Sequence, residues 1–394
     1  MAGADCRTEC LIRMSSTYDF AIFGGNAFAS LVAGLLAHDH NKQVLLIADP
    51  VSPQRLPRGL DLALLFATRP QSWKMLQRGV AETRALMASL EARDALDTVP
   101  VRIAADLPQT KAALAHVAAS AHGYGQASKD GLFSGVARLV APVALGESRV
   151  VTIGRDAATL EFTRTGAAEL VISGEPTAVG QIVVADDTEL LELVPPDQRP
   201  AQIVAQSMTG TLTAPAKKLP APVMLFPDRG VSLQQRADLS ILALVSGDSD
   251  VEARLASTLP GPFPLQRLAT THFRRVTTTD GAPLIGRIKP SKLMVLTGLG
   301  DAAAFFAPLM ARVLADAPGD GEKAWAAACD PSRPAREAIA DWRRVLTDGI
   351  AAGGCPVEAD PFCIGATRVR APGRAYACYA SGEQCAPTVL NEHR

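Results

Sequence analysis

Charge of one sign is what this chain most plainly lacks: 39 Lys and Arg stand against 40 Asp and Glu, a net charge of −1 over 394 residues. No basic field is available to hold a nucleic acid or an anionic membrane. Metal spacing is also absent. The six histidines (38, 40, 116, 122, 272 and 393) form no His-Glu-x-x-His or related pattern. The seven cysteines include no Cys-x2-Cys pair, which zinc and iron–sulfur sites usually use. Their odd number, with no secretory signal, points to reduced thiols and a cytoplasmic protein. No Ser/His/Asp set, internal repeat or low-complexity tract stands out. One long uncharged run exists, Phe20 to Ala37, 18 residues in length. Gly24-Gly25-Asn26 in its middle, and a strand ending in an acid just after it, argue against a membrane span. Met14-Ser-Ser-Thr-Tyr-Asp resembles a natural start, which would make residues 1–13 an extension.

What is present begins with that same run. Tyr18-Asp-Phe-Ala-Ile-Phe is a β-type segment ending at Gly24-Gly25-Asn26, followed by a small-residue helix (Ser30 to Ala37) and a second apolar run, Val44 to Ala48, closed by Asp49. This is the order of the βαβ unit that opens a dinucleotide-binding fold. In G-x-G-x-x-G/A, Gly24 fills the first position and Ala29 the third, while Asn26 stands at the second. Backbone N–H groups of the turn, with Gly25, would meet a pyrophosphate, and Asp49 a ribose hydroxyl.

Further along, residues 70–96 predict a long helix, Val99–Ala104 a strand, and Pro108 to about Ala121 a helix. Segments 149–154, 158–163 and 169–173 predict a meander of short strands, and 181–185 a strand entering an acidic loop, Asp186-Asp187. Residues 200–275 read mostly as strands. Lys292–Thr297 predicts a buried strand, running into Gly298-Leu-Gly300-Asp301 and a helix that carries Phe305, Phe306 and Met310, read as helix core rather than as a cofactor box.

Thr279-Asp280-Gly281-Ala-Pro283-Leu-Ile285-Gly286, then a strand, then Gly298-Leu-Gly300, then Ala307-Pro308, resembles the C-terminal signature of the D-amino-acid oxidase/glycine oxidase family of FAD enzymes. With the N-terminal unit, the likeness spans about residues 17–316 in outline. It implies an α/β fold with a Rossmann-like FAD-binding domain (17–96, 126–204 and 276–350) and a second, mostly antiparallel β-sheet substrate domain (97–125 and 205–275). It further implies FAD as cofactor and oxidation of a C–N bond of a small amine or amino acid by hydride transfer to flavin. Gly24, Gly25, Asn26, Ala29 and Asp49 would serve the adenylate and pyrophosphate. Gly298, Gly300, Asp301 and Ala302 would face the flavin, with a helix starting near Ala302 aimed at its pyrimidine side. Arg275, with Arg274 beside it, takes the place of an arginine that grips a substrate carboxylate, the alternative being an interdomain ion pair. His272 would line the substrate cavity or serve as a polar interdomain residue.

Three positions depart from the family: Asn26, Ala303 in place of a glycine, and Asp186-Asp187 in place of a small Ala-Gly-type turn, where two carboxylates would repel a pyrophosphate. They leave two other readings open, a flavoprotein subunit of a larger complex and a non-catalytic relative that lost FAD and serves binding or assembly. Cys355, Cys363, Cys378 and Cys385 lie in a tail, 351–394, of unassigned fold. Scattered thiols, disulfides, a metal and docking of a protein partner are all compatible with it.

Overall fold

A computed structural model describes residues 18–49, 56–65, 70–140, 145, 148–247, 250–258 and 266–334, with two short strands at 370–371 and 374–375. The cysteines of the tail lie outside the described residues. The chain begins with β1 (Tyr18–Phe23), α1 (Ala27–His40), β2 (Val44–Ile47), α2 (Pro70–Ser89), β3 (Leu96–Ile103) and α3 (Pro108–Gly123). Then come β4 (Ser128–Lys129), β5 (Leu132–Leu139), β6 (Val150–Ile153), β7 (Ala158–Phe162), β8 (Ala168–Ile172), β9 (Glu175–Thr177), β10 (Val179–Val184) and α4 (Asp187–Leu193). The second half holds β11 (Ile203–Thr213), β12 (Val223–Phe226), β13 (Val231–Gln235), β14 (Ile241–Ser246), α5 (Val251–Thr258) and β15 (Arg267–Thr278). It closes with β16 (Leu284–Arg287), β17 (Met294–Thr297), α6 (Ala307–Leu314) and α7 (Glu322–Ala328).

The uncharged run 20–37 splits into a strand and a helix because Asn26 stops one and starts the other. Its side chain accepts from the Ala29 N–H at 2.8 Å, an N-cap, and Asn41 ends the helix in the left-handed conformation at φ 56°. Small residues let the helix lie close on the sheet: from Phe28 to Ala37 only Ser30 escapes full burial.

Six strands form the first sheet, in the order β16-β17-β10-β1-β2-β6, with β17 to β6 parallel and β16 antiparallel at the edge. α1, α2 and α6 cover one face of it, and the meander β7-β8-β9 covers the other through Phe23, Leu45, Ile47, Leu170 and Ile172. Gly79 is the close-approach point of α2, where an added Cβ would collide with the Phe305 carbonyl. Phe305 and Phe306 are core, at 0% and 1% exposure, and Phe306 stacks on Trp325.

A second, eight-stranded sheet has the order β15-β11-β14-β13-β12-β3-β5-β4. All its neighbours are antiparallel except β12 and β3. β4 and β5 thus join the second sheet, although the sequence assigns residues 126–204 to the first domain; long-range pairing, not local pattern, decides this. Among the described residues, no helix is long and apolar enough to cross a membrane.

Candidate functional site

β1 is the centre of a topological switch. The connection through α1 leads to β2 on one side, while β10 pairs with β1 on the other. In open parallel sheets, ligands bind in the crevice beyond the carboxyl ends of the strands at such a point. Here those ends are Phe23 and Val184, and the residues beyond them are Gly24 to Ala29 and Ala185 to Glu189.

Gly24 occupies a crowded corner. A Cβ there would lie 2.7 Å from the Ala29 Cβ and 3.3 Å from the Asp186 Cβ. Gly25 is exposed, and so is Asp49, beyond the end of β2. Asn26 donates through Nδ2 to the Ala185 carbonyl at 3.2 Å and to Asp186 Oδ2 at 3.1 Å. Asp186 is only 6% exposed. It does not stand in a loop, as the sequence predicts, but caps α4: its Oδ1 accepts from the N–H groups of Thr188 at 2.8 Å and Glu189 at 3.4 Å. Arg58 Nη1 lies 3.8 Å from the same oxygen. Asp187, one residue on, accepts from the Val276 N–H at 3.0 Å and from the Thr297 hydroxyl. Burial pushes its carboxyl above the usual range, against the pull of those two hydrogen bonds.

The second candidate region lies between the two sheets. A cavity of about 50 Å³ is lined by Gln206, Met208, Ser232, Arg275, Gly300 and Asp301, among others. Gly298 and Gly300 shape the turn that reaches it, both in the left-handed region at φ 72° and 61°, which explains the two glycines. Arg275 is held in place. Its Nη2 donates to the Arg58 carbonyl at 2.9 Å and to Asp301 Oδ1 at 3.2 Å. Asp301 also accepts from the Leu60 N–H at 3.2 Å, while its carbonyl accepts from the Leu62 N–H at 2.8 Å. Residues 58–62 are thereby fastened across the Gly300 turn. Asp61, in their midst, sits at φ 46°. Its carboxyl is pushed up to about 7 by burial first, then by the charge of Asp301, with Arg275 pulling the other way.

Several sequence-predicted residues do not converge. His272 and Arg275 are three apart on β15, so strand alternation sends them to opposite faces. His272 is exposed and sits 3.2 Å from the Thr209 hydroxyl, its cross-strand partner, and does not line the cavity. Ala302 is buried in a 3-10 turn, Gly300–Phe306, and the α-helix begins only at Ala307. Asp280 of the Thr279–Gly286 segment is wholly buried. It receives Arg333 Nε at 2.9 Å and Nη2 at 2.8 Å, a bidentate pair that fastens residues 329–333 to the sheet. Gly286 gives room to the same segment, since a Cβ would lie 2.7 Å from Pro331. Arg58, Asp61 and the Asn26–Asp186 contact escaped the sequence. The signal for the last was local, because Asn is a strong N-cap residue and Asp186-x-x-Glu189 has capping-box spacing.

No protein-family model matches the chain, and no curated protein matches it in sequence. Solved structures do match it in fold. Glycine oxidase from Geobacillus kaustophilus superposes with a TM-score of 0.62 at 15% identity, over 81% of this chain and 100% of that one. The chain has the D-amino-acid oxidase/glycine oxidase fold. L-proline dehydrogenase from P. horikoshii shares it, with a TM-score of 0.58 at 12% identity over 81% and 98% of the two chains. So does L-α-glycerophosphate oxidase from Mycoplasma pneumoniae, whose structure has FAD bound, with a TM-score of 0.53 at 12% identity over 76% and 95%.

Whether this version of the glycine oxidase fold suits FAD is decided by the crevice. The Gly24–Ala29 contact and the exposed Asp49 suit a dinucleotide. The residues between the ends of β1 and β10 do not. A pyrophosphate needs free N–H groups at the start of α1, but the Ala29 N–H is taken by Asn26, and Asn26 is bonded across the crevice to a buried carboxylate. As arranged, these residues do not fit FAD.

Proposed function

We propose that this chain is a binding protein built on the amino-acid oxidase fold, and that it takes a small carboxylate-bearing amine in the cavity between its two sheets. The carrying observation is Arg275 beside Asp301 at the wall of that cavity. A fixed guanidinium and a carboxylate 3.2 Å apart offer a small zwitterion a partner for each end. The cavity's size favours a molecule of few heavy atoms. The fold neighbours that act on glycine and on proline lend support to that chemical class.

The test is a thermal-shift screen of glycine, proline and other small amino acids and amines. A binder should raise the melting temperature in proportion to the logarithm of its concentration, by ~2.7 kcal/mol of stability at one hundred times Kd. Arg275→Ala should abolish the shift for carboxylate-bearing molecules and leave the unliganded melting behaviour cooperative. A panel without any shift, or shifts unchanged in Arg275→Ala, would sink the reading.

A second reading is an FAD-dependent oxidoreductase that oxidises a C–N bond of the same kind of molecule. The fold, the Gly24–Ala29 contact and the Gly298-Leu-Gly300 turn favour it. In it, Arg275 would orient the carboxylate, and the Asn26–Asp186 contact would have to open before FAD could bind. Amine-dependent dye reduction or peroxide release by a yellow purified protein would establish it.

A further inference from the structure

Two helix N-termini meet at the switch point, that of α1 after β1 and that of α4 after β10. Such termini attract anions because their first N–H groups point outward without helical partners. Here the chain itself takes one of those groups at α1 and two at the short α4. Asn26 Oδ1 takes the Ala29 N–H, and Asp186 Oδ1 takes those of Thr188 and Glu189. The two caps are then joined, 160 residues apart in sequence, by the 3.1 Å hydrogen bond from Asn26 Nδ2 to Asp186 Oδ2.

We propose that the Asn26–Asp186 pair is a built-in occupant of the dinucleotide crevice, which the chain closes on folding, so that it holds no FAD. The carboxylate of Asp186 supplies the negative charge that a phosphate would otherwise bring, and Arg58 lies 3.8 Å away as the nearby cation. A pyrophosphate entering the crevice would have to displace the cap of α1. It would also face a buried carboxylate at short range, where like charges repel strongly in a medium of low dielectric. Gly24, the residue that most suggests a cofactor, has work without one: its missing Cβ leaves room for the Asp186 Cβ at 3.3 Å and the Ala29 Cβ at 2.7 Å. Neither Asn26 nor Asp186 lines the inter-sheet cavity. The pair therefore stands or falls independently of which small molecule Arg275 receives.

The experiment is a titration of the purified full chain with FAD, followed by equilibrium dialysis and by flavin fluorescence. The wild-type protein should be colourless as isolated and show no saturable binding. The Asn26→Gly/Asp186→Gly double variant, confirmed folded by circular dichroism, should gain saturable binding of one FAD per chain. Should the double variant not fold, Asp186→Ser keeps a capping oxygen and removes the charge, and it too should gain measurable binding. A wild-type protein that carries or takes up one FAD per chain overturns the proposal outright. A folded variant that still takes none overturns it as well, because something other than the pair would then close the crevice. Neither result bears on the thermal-shift screen, so the two readings fail separately.

Discussion

Two turns of this chain, one N-terminal and one C-terminal, treat the same fold differently. At the N-terminal turn, the two polar side chains at the mouth of β1 and β10 are each taken by neighbours: Asn26 by Ala29, Ala185 and Asp186, and Asp186 by Asn26 and two N–H groups. At the C-terminal turn, Arg275 and Asp301 are paired yet still face a cavity, and Asp61 beside them holds a carboxyl poised near neutral pH. The backbones of both regions follow the oxidase fold, so the difference is one of side chains. A cofactor crevice can be shut by a handful of hydrogen bonds while the neighbouring pocket keeps the means to recognise a small ion.

The largest effect should come from the residue of the C-terminal segment that looks most functional. Asp280 is fully buried and gripped by Arg333, whose side chain is only 5% exposed. Removing one partner of such a pair strands a buried charge and costs about 3–5 kcal/mol. Asp280→Ala should therefore lower the urea midpoint strongly without changing the response to small ligands at Arg275. A lost ligand response at unchanged stability would move Asp280 from scaffold to site and break the contrast drawn between them.

Asp61 gives a smaller effect with a sign. Its carboxyl ionises near 7 in the folded chain against 3.8 ordinarily. Between those values the unfolded chain has released a proton that the folded chain keeps, so stability must fall as pH rises through that interval. The contribution is fully present below the ordinary value and gone above about 7. Asp61→Asn removes it. Urea midpoints at about pH 5 and about pH 8 should converge in the variant relative to the wild type. An unchanged difference would mean that no poised group stands beside Arg275 and Asp301, and the two regions would be more alike than they look.

The outline of the fold was legible because the N-terminal unit packs local signals tightly: a strand, a glycine turn, small residues on a helix, and an acid after the next strand. The helix proved longer than Ser30–Ala37, since the capping power of Asn26 and Asn41 extends it to Ala27–His40. The strands near 150, 160, 170, 181, 241 and 294 fall where apolar runs predict them. The partners were not legible. Asp186 beside Asn26, Arg333 on Asp280 and Arg58 near Asp186 are meetings of distant segments, which no local period encodes. Alternation along β15 should have separated His272 from Arg275, because an odd spacing changes faces.

The smallest effect is the most discriminating. Asn26 makes two kinds of bond, a cap to its own helix and a bridge to β10 and Asp186. Asn26→Ala loses both and should cost ~1 kcal/mol, within the 0.5–2 expected of a lost cap. Asn26→Ser keeps a capping oxygen but is too short to bridge, so its loss should fall between those of wild type and Asn26→Ala. The step from serine to alanine then measures the cap, and the step from asparagine to serine measures the bridge. A serine variant as stable as the wild type would show that the bridge contributes nothing. Closure of the crevice would then rest on the charge of Asp186 alone, and FAD binding should respond to changes at Asp186 but not at Asn26.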